Sequence, residues 1–135
     1  MEIDFQKKLK ILLVDDVQVH RYLMSSGIAR INPFVQIDQA TSLEEAITRL
    51  SNGTYNVVVS DWSMAGGGGD ELVRWMRARA NFRRVPFIMI SSHAGHDAII
   101  HAFMELDVDA YVVKPFTPQD LYKKIVFAFD KRSKS

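Results

Sequence analysis

At 135 residues, with 47% apolar and 24% charged side chains, the chain has the size and composition of one globular unit with its own core. A formal net charge of +1 gives no field for nucleic acid or a membrane surface, and the lack of cysteine excludes disulfides, thiolate catalysis and zinc–thiolate centres. No apolar run approaches the ~20 residues of a membrane span, and residues 1–10 carry charges in place of a secretory core, so the cytoplasm is the expected location.

Met1 to Lys10 reads as a polar lead-in whose apolar side chains are Met1, Ile3, Phe5 and Leu9. Ile11-Leu12-Leu13-Val14 is an unbroken apolar run, the pattern of a strand covered on both faces, and it stops at Asp15-Asp16. A helix is predicted from about 17 to 30, with Val19, Tyr22, Leu23 and the Gly27–Ile28 turn at helical spacing, and Asn32-Pro33 ends it. Val35 to Asp38 alternates, as a half-exposed edge strand does. Thr41-Ser42-Leu43-Glu44 reads as a capping box with Thr41 at the cap. The helix it opens turns Leu43, Ala46, Ile47 and Leu50 inward and closes at Asn52-Gly53.

The next strand, 56–60, delivers Asp61 to its tip. A carboxylate ending a buried strand is costly unless something uses or neutralises its charge. Ala65 and four glycines, 66–69, follow and cannot be the interior of a strand or helix. A helix over 70–81 buries Leu72, Val73, Trp75 and Met76 and leaves Arg74, Arg77 and Arg79 on its solvated face. Pro86 to Ile90 is another unbroken strand, ending in Ser91-Ser92-His93, and a helix spans about 96–105. Ala110 to Val113 is the last strand and ends in Lys114-Pro115. Thr117 caps the last helix, with Pro118 in its first position and Asp120 in its first turn. Leu121, Ile125, Ala128 and Phe129 form its apolar stripe, and a polar tail over 131–135 is expected to fray.

Five strands alternating with five helices make an α/β domain, a mostly parallel sheet sandwiched by helices with right-handed crossovers. Such sheets bind ligands beyond the carboxyl ends of their strands. The residues delivered there are Asp15, Asp16, Asp61, Ser91 and Lys114. Three neighbouring carboxylates repel one another unless a cation sits among them or their pKa values rise. Hard oxygen donors without His or Cys suit Mg²⁺. Lys114 adds a point charge for phosphate and Ser91 a hydrogen-bond donor. Together they form a receptor for a phosphoryl group, with a carboxylate able to act as the nucleophile.

Leu13-Val14-Asp15-Asp16, Ser60-Asp61-Trp62-Ser63-Met64 with Gly69, the hydroxyl of Ser91, and Tyr111-Val112-Val113-Lys114-Pro115-Phe116 occur in that order at the tips of four strands. On these motifs the chain resembles the receiver domains of two-component response regulators, and among them the single-domain chemotaxis type, over about residues 8 to 131 of one domain spanning 1–135. The resemblance implies a flavodoxin-like, doubly wound five-stranded sheet of order 2-1-3-4-5. It implies Asp61 as the acceptor of a phosphoryl group from a phosphohistidine on a sensor histidine kinase. Asp16 and Asp61 would hold Mg²⁺ directly, Asp15 through water, and Ser63 through its carbonyl. Lys114 would pair with the phosphate, and the Lys114–Pro115 peptide is expected cis, which would fix the Lys at the rim. Ser91 would swing toward the phosphoryl group and Tyr111 would pass from exposed to buried. The face made by the fourth helix, fifth strand and fifth helix would then change for a partner such as a flagellar motor switch or another signalling protein. Direct DNA binding, a membrane role and turnover of an external substrate are not expected.

Four departures from the family pattern stand out. Ala65 replaces the usual Pro, and the glycine run makes a loop expected to be loose until Mg²⁺ orders it. Ser92 replaces a small Ala. His93 is the fourth, and it and the motif residue Ser63 occupy positions expected to modulate the phosphoryl lifetime. Competing readings are a pseudo-receiver or a receiver cut from a longer regulator, both acting as interaction modules. A phosphohydrolase of the haloacid dehalogenase type would need an Asp where Ser63 stands. A flavin-binding relative would need a Ser/Thr-rich loop where Asp15-Asp16 stands. A metal site of His93, His96 and His101 has loose spacing against it, and the glycine run lacks the Lys-Ser/Thr of a nucleotide loop.

Overall fold

The structure is a computed structural model and describes residues 4–133. The elements in chain order are β1 (Lys10–Val14), α1 (Gln18–Ile31), β2 (Gln36–Ala40), α2 (Leu43–Asn52), β3 (Val57–Asp61), α3 (Gly69–Arg77), β4 (Phe87–Ser91), α4 (His96–Met104), β5 (Ala110–Val113) and α5 (Pro118–Ser133). All strands are parallel, in the order β2-β1-β3-β4-β5. The chain therefore steps from β1 to one side and then back across to β3. The crevice at that reversal lies between the tips of β1 and β3, which carry Asp15-Asp16 and Asp61. Register carries the other tips to the same rim: Asp61 is opposite Ile90, and Ser91 is opposite Val113.

The two-residue side-chain period of the strands divides the core into two layers. Ile11, Leu13, Val57, Val59, Ile88, Ile90 and Val112 pack under α1 and α5, against Met24, Ile28, Leu121, Tyr122 and Ile125. Leu12, Val14, Val58, Phe87, Met89 and Tyr111 pack under the other three helices, against Ala46, Leu50, Leu72, Val73, Met76 and Ala102. Among the described residues no helix is long and apolar enough to cross a membrane.

Several local expectations are corrected. In α1 the buried residues are Met24 and Ile28, whereas Val19, Tyr22 and Leu23 are 63%, 66% and 58% exposed. The helix is rotated by its contact with α5: a Cβ on Gly27 would lie 2.5 Å from the Pro118 ring, so this edge of α1 must face α5. The capping box is shifted by one residue. Ser42 is the N-cap and accepts from the Glu45 N–H at 3.1 Å, while the Glu45 carboxylate accepts from the Thr41 N–H at 3.2 Å.

Helix α3 ends at Arg77, not at 81. The Arg77 side chain is only 11% exposed, so it does not belong to a solvated face. It pairs with Asp109 and donates to the carbonyls of Phe82, Arg83 and Val85, which curls residues 78–85 back under the helix end. Trp75 is half-buried, stacked on Phe82. At the carboxyl end, 131–133 continue α5, and Arg132 pairs with Asp107 and Asp109; the rest of the tail expected to fray lies outside the described residues. The lead-in is also tied down over 4–9. Leu9 is buried, Lys7 O accepts from Asn32 Nδ2 at 2.8 Å, and the Tyr122 hydroxyl donates to the Asp4 carbonyl.

Candidate functional site

Asp61 is the last residue of β3, 7% exposed, because the strand's apolar run carries it to the rim before the chain leaves the sheet. The Trp62 N–H still donates to Ile90 O at 2.8 Å, so the backbone just past Asp61 stays pinned to β4. Lys114, at the end of β5, places its Nζ 3.1 Å from Asp61 Oδ1. Its N–H is bound to Ser91 O at 2.9 Å, and the Lys114–Pro115 peptide is cis, as the resemblance implies. Burial pushes the Asp61 carboxyl up from its ordinary value. The Lys114 ammonium opposes that rise, and the charges of Asp15 and Asp16 add to it.

Asp15, Asp16 and Asp61 each offer an oxygen, and these oxygens lie within 4.8 Å of one another. Among the described residues this is the only group of three or more His, Cys, Asp or Glu side chains so placed. An all-carboxylate set of that spacing fits a hard divalent cation such as Mg²⁺. The loosely spaced histidines do not compete: His93 and His96 are exposed, and His101 is turned to Glu105.

The two acidic residues of the first strand tip are held differently. Asp15 is fully buried. Its Oδ1 accepts from the Val17 N–H at 2.8 Å, its Oδ2 lies 3.3 Å from His20 Nδ1, and its carbonyl accepts from Arg21 Nη1 at 2.7 Å. No motif marks His20 and Arg21 in the sequence; only the bare offset of one helical turn beyond the Asp pair points there. Asp16 is exposed and accepts from the Ala65 N–H at 3.1 Å, which ties the glycine loop to the acidic cluster. Ser63 borders the same open pocket, with Asp16, Met64 and Asp70.

The glycine loop is more tightly built than its composition implies. Gly66 and Gly67 take positive φ, +80° and +144°. Gly68 and Gly69 are buried, and a Cβ on them would lie 2.2 Å from Trp62 O and 2.6 Å from Asp61 O. These two glycines allow α3 to start directly against the strand end.

On the β4 side, Ser91 is buried and its Oγ accepts from the His93 N–H at 3.0 Å. Tyr111 lies inward, buried, with its hydroxyl donating to the His93 carbonyl at 2.7 Å. Both residues expected to switch are thus joined through the backbone of His93, whereas the sequence drew attention to its side chain. Trp62 is half-buried over this region. Beyond it, α4 buries only Ala102 and leaves Ile100, Phe103 and Met104 exposed, and α5 adds exposed Phe127 beside Lys123 and Lys124. The groove between α4, β5 and α5 is lined by Ile99, Phe103, Val113 and Phe127, with Lys124, Lys131 and Asp109 among its charged residues.

The model of the response regulator receiver domain matches residues 11–126. The chemotaxis protein CheY of Pseudomonas aeruginosa is 35% identical over 123 residues, 91% of this chain and 98% of that protein. CheY-3 of Vibrio cholerae is 33% identical over 131 residues, covering 97% and 99%. Among solved structures, a CheY-like receiver domain protein from Methanospirillum hungatei superposes with a TM-score of 0.82 at 22% identity, covering 95% and 98%. The response regulator TrrA of Thermotoga maritima, solved in complex with Mg²⁺ and BeF, gives 0.75 at 26% identity, covering 87% and 96%. With the acidic cluster at the β1 and β3 tips and this match over most of its length, the chain belongs to the family of response regulator receiver domains.

Proposed function

We propose that this chain is a phosphorylation-switched response regulator that takes a phosphoryl group onto Asp61. The observation that carries the reading is the Asp61 carboxylate set between two further carboxylates and an ammonium 3.1 Å away. An Asp61 oxygen attacks phosphorus while the P–N bond of a phosphohistidine on a sensor kinase breaks, and the electron pair returns to the donor imidazole. Asp15, Asp16 and Asp61, with the Ser63 carbonyl, are the residues that would hold Mg²⁺. When bound, Mg²⁺ supplies positive charge to the phosphoryl oxygens. Lys114 moves from its pairing with Asp61 toward the new phosphate charge, and the Ser91 hydroxyl donates to the same group. Ser63 and His93 stand where they set how fast water reaches it.

Tyr111 is the second switch residue, and its inward position is the one expected when Ser91 is drawn to the phosphoryl group. The change is read on the α4–β5–α5 face, where the groove lined by Ile99, Phe103 and Phe127 offers an apolar surface to a partner protein. The identity to CheY proteins favours a chemotaxis output, with a flagellar motor switch as the partner chemistry to test first. This receiver domain works in the cytoplasm and passes its signal by protein contact, without DNA or membrane contact and without turnover of an external substrate.

Incubation with acetyl phosphate and Mg²⁺, followed by intact-mass measurement, tests this. The wild type should gain one phosphoryl group, ~80 Da, and Asp61→Asn should gain nothing. A wild type without the adduct, or an adduct that persists in Asp61→Asn, overturns the reading.

A further inference from the structure

Trp62 directly follows Asp61, and its indole takes no part in the phosphoryl chemistry. Its backbone is fixed on both sides: the N–H donates to Ile90 O at 2.8 Å and the carbonyl accepts from the Gly69 N–H at 2.9 Å. The ring therefore stands on a rigid stem at the phosphoacceptor. It touches two other elements at once. It stacks on His101 of α4, with centroids 5.9 Å apart and planes at 25°, and it meets Tyr111 of β5 edge-on, at 6.2 Å and 75°.

His101 is in turn aimed by Glu105, one turn on at the C-cap of α4, with Nδ1 2.8 Å from Oε2. An aromatic beside a site is most often ordinary packing. Here the stacked partner is a half-exposed histidine whose ring plane is set by a carboxylate, on a helix that buries only Ala102. Helix α4 is thus lightly anchored by its apolar residues, and the His101 ring is a directed contact between it and the residue next to Asp61.

We propose that Trp62 and His101 form a latch that holds α4 against the phosphoacceptor strand in the arrangement where Tyr111 lies inward, with His101 as the positioning residue. This rests on the receiver reading above. Because Trp62 contacts both His101 and Tyr111, an outward Tyr111 loses the edge contact and a displaced α4 loses the stack. Both losses belong to the same change of state. By linkage, whatever stabilises the inward arrangement also favours a phosphoryl group, or its mimic, on Asp61.

The experiment uses the 135-residue chain carrying Trp75→Phe, which leaves Trp62 as the reporter, since the chain has two tryptophans. Beryllofluoride with Mg²⁺ is titrated while Trp62 emission is followed, and bound fluoride is read separately by fluorine NMR. An aromatic stack of this kind corresponds to a shift of about three- to tenfold. His101→Ala is therefore expected to raise the half-saturating beryllofluoride concentration by about that factor. His101→Phe keeps a ring for the stack without the imidazole, and it is expected to restore the midpoint to within about twofold. An unmoved midpoint in His101→Ala with normal bound fluoride overturns the latch alone. A His101→Phe protein as impaired as His101→Ala overturns it too, since the stack is then not what matters. If the parent protein shows no bound fluoride, the receiver reading fails, and the latch with it.

Discussion

Asp61→Asn should make the protein more stable at neutral pH in the absence of divalent cations. The Asp61 charge has two carboxylate neighbours whose nearest oxygens lie within 4.8 Å and one ammonium at 3.1 Å. At an effective dielectric near 20, each repulsion is about 3.5 kcal/mol and the attraction about 5 kcal/mol. The pair contacts alone thus leave a net repulsion of order 1–2 kcal/mol, and burial of the charge adds to it. The direction agrees with the Asp61 carboxyl being raised above 3.8, first by burial. An acid raised on folding binds its proton more tightly in the native than in the unfolded state, so stability falls as pH rises through the window between the two values. That window opens near the unfolded value of 3.8 and closes at the raised folded one. Below it Asp61 is protonated in both states, and the advantage of Asn disappears. Thermal unfolding in EDTA at low salt is the assay. A gain of about 1–2 kcal/mol corresponds to roughly 3–6 °C for a chain of this length. It should shrink when Mg²⁺ is added, because the wild type gains more from the cation than the variant does. An Asn variant no more stable than wild type at pH 7 in EDTA, or one whose advantage persists unchanged to pH 3, would refute the electrostatic argument.

Gly69→Ala should cost about 1–3 kcal/mol in a urea titration, because its Cβ would meet Asp61 O at 2.6 Å. Gly95→Ala meets nothing within 4 Å and loses only the preference of a helix N-cap for Gly over Ala, so it should cost no more than about 1 kcal/mol; a cost at Gly69 no larger than that at Gly95 would show that the close approach does not matter. Arg77→Met should lose about 2–4 kcal/mol, since it strips one cation from the buried Asp109 carboxylate while Arg132 remains. The exposed pair that Arg74 makes with Asp70 should lose no more than about 0.5 kcal/mol on Arg74→Ala. Tyr111→Phe removes the bond to His93 O but not the ring, and should cost about 0.5–1.5 kcal/mol; a neutral result would mean that the hydroxyl bond does not hold the inward position.

The site was legible because three of its strands announce themselves as unbroken apolar runs that stop at a charge or a pair of charges. Asp15-Asp16, Asp61 and Lys114 need only strand periodicity and the parallel-sheet rule to be brought to one rim. What escaped depends on contacts distant in sequence. The rotation of α1 is set by Gly27 against Pro118, and nothing local distinguishes Val19, Tyr22 and Leu23 from a buried stripe. Arg74, Arg77 and Arg79 look alike on the helix pattern, and the burial of Arg77 is decided by Asp109 just before the fifth strand. The box at α2 has two adjacent hydroxyls and two adjacent glutamates, so either register satisfies the pattern and only the backbone selects Ser42 with Glu45. The glycine run read as slack because composition shows conformational freedom, not the carbonyls of Asp61 and Trp62 that two of those glycines must approach.

The central claim is that Asp61, rather than either of its acidic neighbours, becomes the phosphorylated group. Reduction with borohydride after treatment with acetyl phosphate and Mg²⁺ converts an aspartyl phosphate to homoserine, and peptide mapping then locates it. Homoserine is expected at Asp61 alone. Homoserine at Asp15 or Asp16, or at no position, would contradict it.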